Sequence, residues 1–181
     1  MSKIILVKHA LPDVDESLPP AQWRLSSEGR EAAAAFAQRI AAHDPTRLIC
    51  SAEAKAEGTA RAMGEVLNLK AEPFAALGEH KRSASSFLPR SEFDATIAAL
   101  FNEPDVLVFG EETASEARHR FSAALDPIVA AQTGTLVVVA HGTVISLWVS
   151  HRLGVPAMPI WKALKMPGAA VVENGRYELV G

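Results

Sequence analysis

A chain of 181 residues matches the size of one globular domain, because domains usually span roughly 100–200 residues. Hydrophobic residues make up 49% of the chain and charged residues 22%, which excludes an intrinsically disordered or a fibrous protein. The 18 lysines and arginines stand against 21 acidic residues, and the formal charge of -3 offers no field that would attract a nucleic acid or an anionic membrane. Any anion that the protein binds must therefore be held by local positive charge.

Cys50 is the single cysteine of the sequence, which excludes an intrachain disulfide and a zinc site built from cysteines. This cysteine usage fits the reducing conditions of the cytoplasm. The apolar run at residues 4–7 is too short for a signal peptide, and no segment reaches the roughly 18 apolar residues of a membrane span. No motif has metal-ligand spacing. We therefore expect a cytoplasmic protein without a membrane segment, a metal site or a cofactor.

The first part of the chain alternates short apolar strands with helices. Residues 4–7 are wholly apolar and mostly β-branched, which is typical of a strand buried on both faces. After a proline-containing loop, Ser26 is the expected N-cap of the first helix. Residues 48–50 form a second short strand, and Ser51 is the expected N-cap of a helix that ends near Leu67. This order favours a parallel sheet with crossover helices.

Residues 77–110 carry a weaker pattern than the rest of the chain. An extended piece precedes them at residues 71–74, and a helix is expected over residues 91–101. We interpret the segment as a small excursion over the edge of the sheet. Residues 1–181 are therefore expected to form one domain.

The last part of the chain contains its clearest elements. A T-x-x-E capping box at residues 113–116 begins a helix, and residues 135–140 are the most apolar strand. A helix follows that strand and ends at Gly154, and residues 168–180 predict a hairpin around an Asn-Gly turn. The whole pattern predicts an α/β fold, a three-layer α/β/α sandwich around a mostly parallel central sheet.

Basic side chains lie where three of the predicted strands end. Lys8 and His9 follow the first strand, Lys55 lies one turn into the helix after the second, and His141 follows residues 135–140. Ligands of such sheets bind beyond the carboxyl ends of the strands, so these side chains are expected to converge. A neutral imidazole can attack phosphorus, while a second imidazole and two ammonium groups can hold the oxygens of a phosphoryl group. The set predicts a site of phosphoryl transfer.

Two helix N-termini add to the expected anion site. The helices that begin near Ser51 and near His141, which Gly142 follows, aim their first backbone N–H groups at the same edge of the sheet. An alternative interpretation makes each histidine a structural residue at a strand end and each lysine a solvated surface residue. Two histidines at two strand ends, both beside lysines, favour the phosphoryl site.

Three motifs occur in order along the chain: L-V-K-H-A at residues 6–10, S-A-E-A-K-A-E-G-T-A at residues 51–60, and V-A-H-G-T-V-I at residues 139–145. They resemble the signatures of the histidine phosphatase superfamily, also called phosphoglycerate mutase-like. The stretch L-S-S-E-G-R at residues 25–30 fits the beginning of the first helix in that family. The resemblance spans almost the whole chain and implies the phosphoglycerate mutase-like fold.

The resemblance also implies roles for individual residues. His9 would become a phosphohistidine, and His141 would contact the phosphoryl oxygens. Lys8 and Lys55 occupy positions where the family normally has arginine. The proton donor of the family is usually a carboxylate in a Leu-x-Glu context after the second signature, and Glu79 fits that description.

Other carboxylates compete with Glu79 for the role of proton donor, namely Glu53, Glu111 and Glu112. The last two belong to a G-E-E-T stretch that, with Arg120, resembles the Gly-Glu-Ser stretch of the family and the arginine after it. Helix capping alone accounts for these residues, so we interpret them as structural.

The charged loop after Glu79 has a simple interpretation. Lys81, Arg82 and Arg90 could steer an anionic substrate, but loop charges are usually solvated, and we interpret all three as solvated. His80 is expected to be a surface residue as well.

The sequence thus predicts a metal-independent phosphoric monoester hydrolase that works through a phosphohistidine on a small phosphorylated substrate. Lysine offers a point charge where the arginine of the family offers a planar fork, and Ala10 replaces the usual glycine of the family. Because of these departures, an alternative is a non-catalytic anion-binding or protein-interaction module on the same fold. A phosphomutase is disfavoured because phosphoglycerate mutases of the family are longer chains. The physiological substrate and the oligomeric state stay open.

Overall fold

The structure, a computed structural model, describes residues 3–83 and 88–181, and these residues form six strands, six α-helices and three short 3-10 helices. In chain order the strands and α-helices are β1 (Lys3–Lys8), α1 (Ser27–Ile40), β2 (Pro45–Ser51), α2 (Ala54–Leu67), β3 (Ala71–Phe74), α3 (Arg90–Asn102), α4 (Ala114–Ala131), β4 (Thr135–Ala140), α5 (Gly142–Leu153), α6 (Ala157–Ala163), β5 (Gly168–Glu173) and β6 (Arg176–Val180). The short helix α6, with a proline inside it, is the one element among these that the sequence pattern did not predict.

The strands form one mixed sheet in the order β3-β2-β4-β1-β5-β6. Strands β3, β2, β4 and β1 run parallel to one another, whereas β5 pairs antiparallel with β1 and β6 antiparallel with β5. The carboxyl ends of β1, β2 and β4 therefore meet at the same edge of the sheet. The prediction of an α/β fold with helices around a mostly parallel sheet is confirmed.

Each face of the sheet is covered by its own hydrophobic core, because side chains alternate between the two faces of a strand. In β1, Ile4 and Leu6 pack on the face covered by α3, α4, α5 and α6. Ile5 and Val7 pack on the opposite face, which α1 and α2 cover. The wholly apolar pattern of the strand follows from this burial on both sides, and the helices form the two outer layers.

Two helix caps predicted from the sequence are present. Ser26 accepts a hydrogen bond from the backbone of Gly29 at the beginning of α1, and Thr113 forms a capping box with Glu116 at the beginning of α4. The predicted cap of α2 is wrong, because Ser51 is the last residue of β2 and Glu53 is the N-cap.

The segment over residues 77–110 packs against the same core as the sheet. Ile97 and Leu100 of α3 are fully buried in the core that contains Ile4 and Leu136. Part of the polar stretch after Lys81, residues 84–87, lies outside the described residues.

Candidate active site

His9 lies directly after β1, and its backbone N–H extends the pairing of the strands by donating to the Ala140 carbonyl at 3.0 Å. The side chain is only 7% exposed. Its Nδ1 atom lies 2.8 Å from the carbonyl oxygen of Ala10. A carbonyl oxygen can only accept, so Nδ1 carries the hydrogen and Nε2 keeps a lone pair. The nitrogen that keeps the lone pair is thus set by a contact with the main chain.

The surroundings of His9 keep its ring neutral. Burial and the nearby ammonium group of Lys55 lower the pKa of His9 to about 4. The charge of Lys8 acts in the same direction. At neutral pH the imidazole is therefore uncharged and able to attack an electrophile.

His141 is the N-cap of α5 and is completely buried. The centroids of its ring and that of His9 lie 5.2 Å apart, with the planes inclined at 61°. Its Nε2 atom lies 2.8 Å from the Ser51 hydroxyl at the end of β2. Burial, together with the charge of Lys55, holds the pKa of His141 well below its usual value. The ends of β1, β2 and β4 thus bring His9, Ser51 and His141 together, as the sequence predicts.

Lys8 and Lys55 are both close enough to His9 for their charges to lower its pKa. Lys55 is 5% exposed, and its Nζ donates to the Pro20 carbonyl at 2.7 Å and to Glu53 Oε2 at 2.6 Å. Lys8 Nζ donates to the Leu164 carbonyl at 3.3 Å, and burial lowers its pKa.

Gly142, the first residue of α5, lies close to the Lys8 side chain. A Cβ atom at this glycine would lie 3.4 Å from Lys8 Cε and 3.4 Å from Trp161 Cδ1, which are ordinary van der Waals contacts. The position therefore has room for a Cβ atom.

Glu79 caps the N-terminus of α5 from a neighbouring loop. Its carboxylate accepts hydrogen bonds from the N–H groups of His80 at 2.9 Å, Thr143 at 3.2 Å and Val144 at 3.3 Å. Burial would raise the pKa of Glu79, but the charge of Arg82 and these hydrogen bonds outweigh it and lower the pKa to about 2. Glu79 is therefore ionised at neutral pH.

Glu53 connects the residues at the strand ends with the loop that carries Glu79. The sequence did not predict this role. Its carboxylate accepts from Lys55 Nζ and from the Glu79 N–H at 2.7 Å, and it lies 3.6 Å from His141 Nε2. In the sequence, the signal for this role was the position of Glu53 between Ser51 and Lys55 in the second motif.

The loop that carries Glu79 is fixed by a buried ion pair. Arg120 of α4 binds Glu112 at 2.6 Å and also donates to the carbonyl oxygens of Ala76, Gly78 and Glu79, each within 2.9 Å. The structural interpretation of Glu112 and Arg120 agrees with these contacts.

Two residues of this loop differ from their predicted surface positions. His80 is 2% exposed, because its ring packs against Phe109 and its Nε2 lies 2.6 Å from the Glu112 carbonyl. The Arg82 side chain is 19% exposed, since it lies over the ring of Phe93. Both side chains are buried by residues distant in sequence, so local polarity gave no sign of it.

A small cavity of about 180 Å³ adjoins the site. It is bordered by Glu53, Lys55, Glu79, His80 and Arg82, and not by His9 or His141. Within residues 3–83 and 88–181, no group of three or more histidine, cysteine or acidic side chains could hold a metal ion. None of the helices in the same ranges has the length and apolar content needed to cross a membrane.

Several solved structures share this fold. A mycobacterial glucosyl-3-phosphoglycerate phosphatase in complex with VO3 superposes with a TM-score of 0.78 at 21% identity, covering 99% of this chain and 97% of that chain. A phosphoserine phosphatase from Entamoeba histolytica in complex with 3-phosphoglyceric acid gives a TM-score of 0.76 at 18% identity, covering 100% and 96%. At these identities the likeness shows a shared fold.

The family of the protein is assigned from its sequence. None of the curated proteins matches it significantly. The family model described as histidine phosphatase superfamily (branch 1), however, matches residues 4–177, which include all the strand ends described above. The chain therefore belongs to branch 1 of the histidine phosphatase superfamily.

Proposed function

We propose that this protein is a phosphatase that hydrolyses a small phosphomonoester through a phosphohistidine formed on His9. The observation that supports this most is the pairing of two neutral imidazoles 5.2 Å apart, His9 with an available Nε2 lone pair and His141 beside it. Lys55 lies close enough for its charge to lower the pKa of both rings. A neutral nucleophile beside fixed positive charge suits attack on a phosphoryl anion.

In the first step, His9 Nε2 forms a bond to phosphorus while the ester P–O bond breaks. The leaving oxygen takes a proton from Glu79, which must be protonated beforehand. Because the pKa of Glu79 is about 2 in the free protein, we infer that the proton arrives with the substrate. A phosphomonoester has a second pKa of about 6, and its negative charge raises the pKa of a carboxyl group next to it.

In the second step, a water molecule attacks the phosphorus of the phosphohistidine. Glu79, now a carboxylate, accepts a proton from that water as the P–N bond breaks. Inorganic phosphate leaves, and His9 regains its neutral form. The same carboxylate thus acts as acid and then as base.

Lys8, Lys55, Ser51 and Gly142 are proposed to hold the phosphoryl oxygens together with His141. Lysine at the two positions that are normally arginine in the family keeps the charge but gives up the planar fork. The backbone at the N-terminus of α5, which begins at Gly142, offers donors to an anion.

The substrate is proposed to be small. A cavity of about 180 Å³, bordered by Glu53, Lys55, Glu79 and Arg82, is available for the group to which the phosphate is esterified. The neighbouring structures are of phosphatases of glucosyl-3-phosphoglycerate and phosphoserine, in complex with VO3 and with 3-phosphoglyceric acid. These molecules support a small phosphorylated substrate.

One observation favours the second candidate, a non-catalytic anion-binding module. The Nζ atoms of Lys8 and Lys55 each donate to a backbone carbonyl, of Leu164 and Pro20. Such contacts would hold the lysines in a purely structural role.

Hydrolysis of an aryl phosphate in EDTA distinguishes the two candidates. The phosphatase turns over this ester, and His9→Ala abolishes the turnover and serves as the blank. A binding module shows the same background rate for the parent and His9→Ala, although it still binds vanadate.

A further inference from the structure

The side chain of Trp161, in α6, carries a hydrogen-bond donor that the fold does not use. Trp161 is 7% exposed, and its Nε1 atom has no acceptor among the described residues. The other two tryptophans have acceptors, since Trp23 Nε1 donates to the Asp15 carbonyl at 2.7 Å and Trp148 Nε1 donates to Asp126 at 2.9 Å. An indole nitrogen can only donate, and a largely buried one usually has a partner.

The Nε1 atom of Trp161 is within reach of a ligand. It keeps accessible surface, unlike Arg82 Nη1 and His141 Nδ1, which are fully buried and unpartnered among the described residues. It lies beside the beginning of α5, because a Cβ atom at Gly142 would lie 3.4 Å from this nitrogen and 3.4 Å from Lys8 Cε. The indole nitrogen and the Lys8 side chain therefore both adjoin the first residue of the helix.

The position of the indole is fixed by α3 and α6. The centroid of the Trp161 ring lies 5.9 Å from that of Phe93, and the guanidinium carbon of Arg90 lies 5.9 Å from the same centroid. Leu164, the C-cap of α6, supplies the carbonyl that accepts from Lys8 Nζ. One short helix thus holds both the indole donor and the ammonium group in place.

The backbone at the beginning of α5 provides another donor at this point. Glu79 accepts from the N–H groups of Thr143 and Val144 but not from that of Gly142, which is the first of the helix. A helix N-terminus with an unused N–H favours an anion, and the indole N–H beside it needs an acceptor. An oxyanion would satisfy both donors.

We propose that Trp161 is a further binding residue of the phosphoryl site, and that its Nε1–H donates to a phosphoryl oxygen beside Lys8. This inference rests on the proposed function and deepens it. Lysine lacks the planar fork of arginine, so Lys8 alone does not form two parallel hydrogen bonds to the anion. The indole N–H supplies the second contact without adding charge.

Inorganic vanadate, an analogue of the phosphoryl group, tests this contact without turnover. The full chain has three tryptophans and should give three indole signals in a ¹H–¹⁵N spectrum. Saturating vanadate should move the Trp161 signal downfield, because a hydrogen bond to an anion deshields the proton. The Trp148 signal should stay in place, since its N–H already donates to Asp126.

Replacing the tryptophans by phenylalanine measures the strength of the contact. Trp161→Phe removes the N–H, keeps an aromatic ring, and should weaken vanadate binding by about 10- to 100-fold, the loss of one hydrogen bond to an anion. Trp148→Phe is the matched control, because it removes an indole N–H away from the site, and it should bind vanadate as the parent does. If Trp161→Phe fails to fold, the signals of Trp23→Phe and Trp148→Phe assign the Trp161 signal by elimination, and the shift decides.

An unshifted Trp161 signal, parent-like vanadate binding in Trp161→Phe, or no vanadate binding by the parent overturns the inference. Turnover of an aryl phosphate, with His9→Ala as the blank, tests the proposed function separately. If the parent turns over this ester while the Trp161 signal stays in place, the inference alone fails. If vanadate shifts the Trp161 signal but no ester is hydrolysed, the contact holds and the proposed hydrolysis fails.

Discussion

At the scale of single residues, a main-chain contact decides which nitrogen of His9 keeps a lone pair. The Ala10 carbonyl at 2.8 Å from Nδ1 leaves Nε2 with the lone pair. Position 10 is alanine where the family usually has glycine, and its backbone N–H is itself held by the Thr59 hydroxyl at 3.0 Å. The orientation of the proposed nucleophile thus depends on backbone geometry, which a side chain larger than that of the fully buried Ala10 would disturb.

Replacing the two histidines should have unequal effects on turnover. His9→Ala removes the group that bonds to phosphorus and should abolish an acid-labile, alkali-stable phosphoenzyme, detected by quenching with labelled substrate. His141→Ala removes one stabilising contact, for which a loss of about 10²–10³ in kcat is typical. Phosphoenzyme formation that survived in His9→Ala would move the nucleophile elsewhere.

The pH dependence of kcat/KM should reflect the lowered pKa of His9. Protonation removes the lone pair, so activity should fall as the pH drops through about 4, instead of near the ordinary value of 6.5. Since the charge of Lys55 contributes to the shift, Lys55→Met should raise the pKa and move this acid limb to higher pH. Lys70→Met, at an exposed position, is the control and should leave the limb in place.

The lysines themselves can be tested by oxyanion binding. If Lys8 and Lys55 contact the phosphoryl group, Lys8→Met or Lys55→Met should each remove roughly 1.5–3 kcal/mol and weaken vanadate binding by about one to two decades. Arginine at both positions should change the affinity in either direction, because the fork either binds the anion or clashes with it. Parent-like vanadate binding in all these variants would show that the lysines do not touch the anion.

At the scale of elements, the loop between β3 and α3 takes its shape from residues far along the chain. Arg120 of α4 donates to three of its carbonyl oxygens, and the Glu111 N–H donates to the Lys81 carbonyl at 2.9 Å. Gly110 permits this approach, since its φ is +74° and a Cβ there would lie 2.2 Å from the same carbonyl oxygen. The position of Glu79 therefore depends on α4 and on the residues before it.

Arg120→Met should destabilise the fold strongly. It would leave Glu112, whose side chain is 7% exposed, buried without its partner, and loss of one member of a buried pair costs about 3–5 kcal/mol. Denaturant unfolding measures the change, and the double variant Arg120→Met/Glu112→Leu should recover part of it. Arg90→Met breaks an exposed pair with Asp94 and should cost less than about 1 kcal/mol. A similar small cost for Arg120→Met would contradict the role of this pair.

At the scale of the whole molecule, the sequence predicted the sheet and the residues at its strand ends because both follow from local patterns. Wholly apolar runs mark strands buried on two faces, and parallel strands bring their ends to one edge. The sequence alone therefore predicts that four side chains lie close together, those of His9, Ser51, Lys55 and His141.

The residues that the sequence misjudged depend on long-range packing. Arg82 and His80 lie in a polar stretch, and only the approach of Phe93 and Phe109 from later parts of the chain buries them. Glu53 gains its role by facing the Glu79 loop, 26 residues further along. The hydrophobic pattern of a short stretch of sequence carries no information about contacts between residues that lie far apart in the chain.

The response of the whole protein to a chelator follows from the groups that supply positive charge at the site. Because Lys8 and Lys55 provide this charge at the strand ends, we expect turnover of an aryl phosphate to survive exhaustive dialysis against EDTA. Activity is compared before and after dialysis, with and without added Mg²⁺. Loss of activity that a divalent ion restores would rule out the proposed mechanism.

The site is divided between the sheet and a segment outside it, which has a consequence for how the protein can be altered. His9 and His141 follow the ends of two central strands, whereas Arg82, Phe93 and Phe109 come from a segment whose described residues add no strand to the sheet. We therefore expect that the exposed residues of this segment can be changed to alter selectivity between substrates, provided that Ile97, Leu100 and Glu112 are kept, because these hold the core and the Glu79 loop. Natural diversification of this scaffold could proceed by the same route, with new substrates acquired by changes in one segment of the chain.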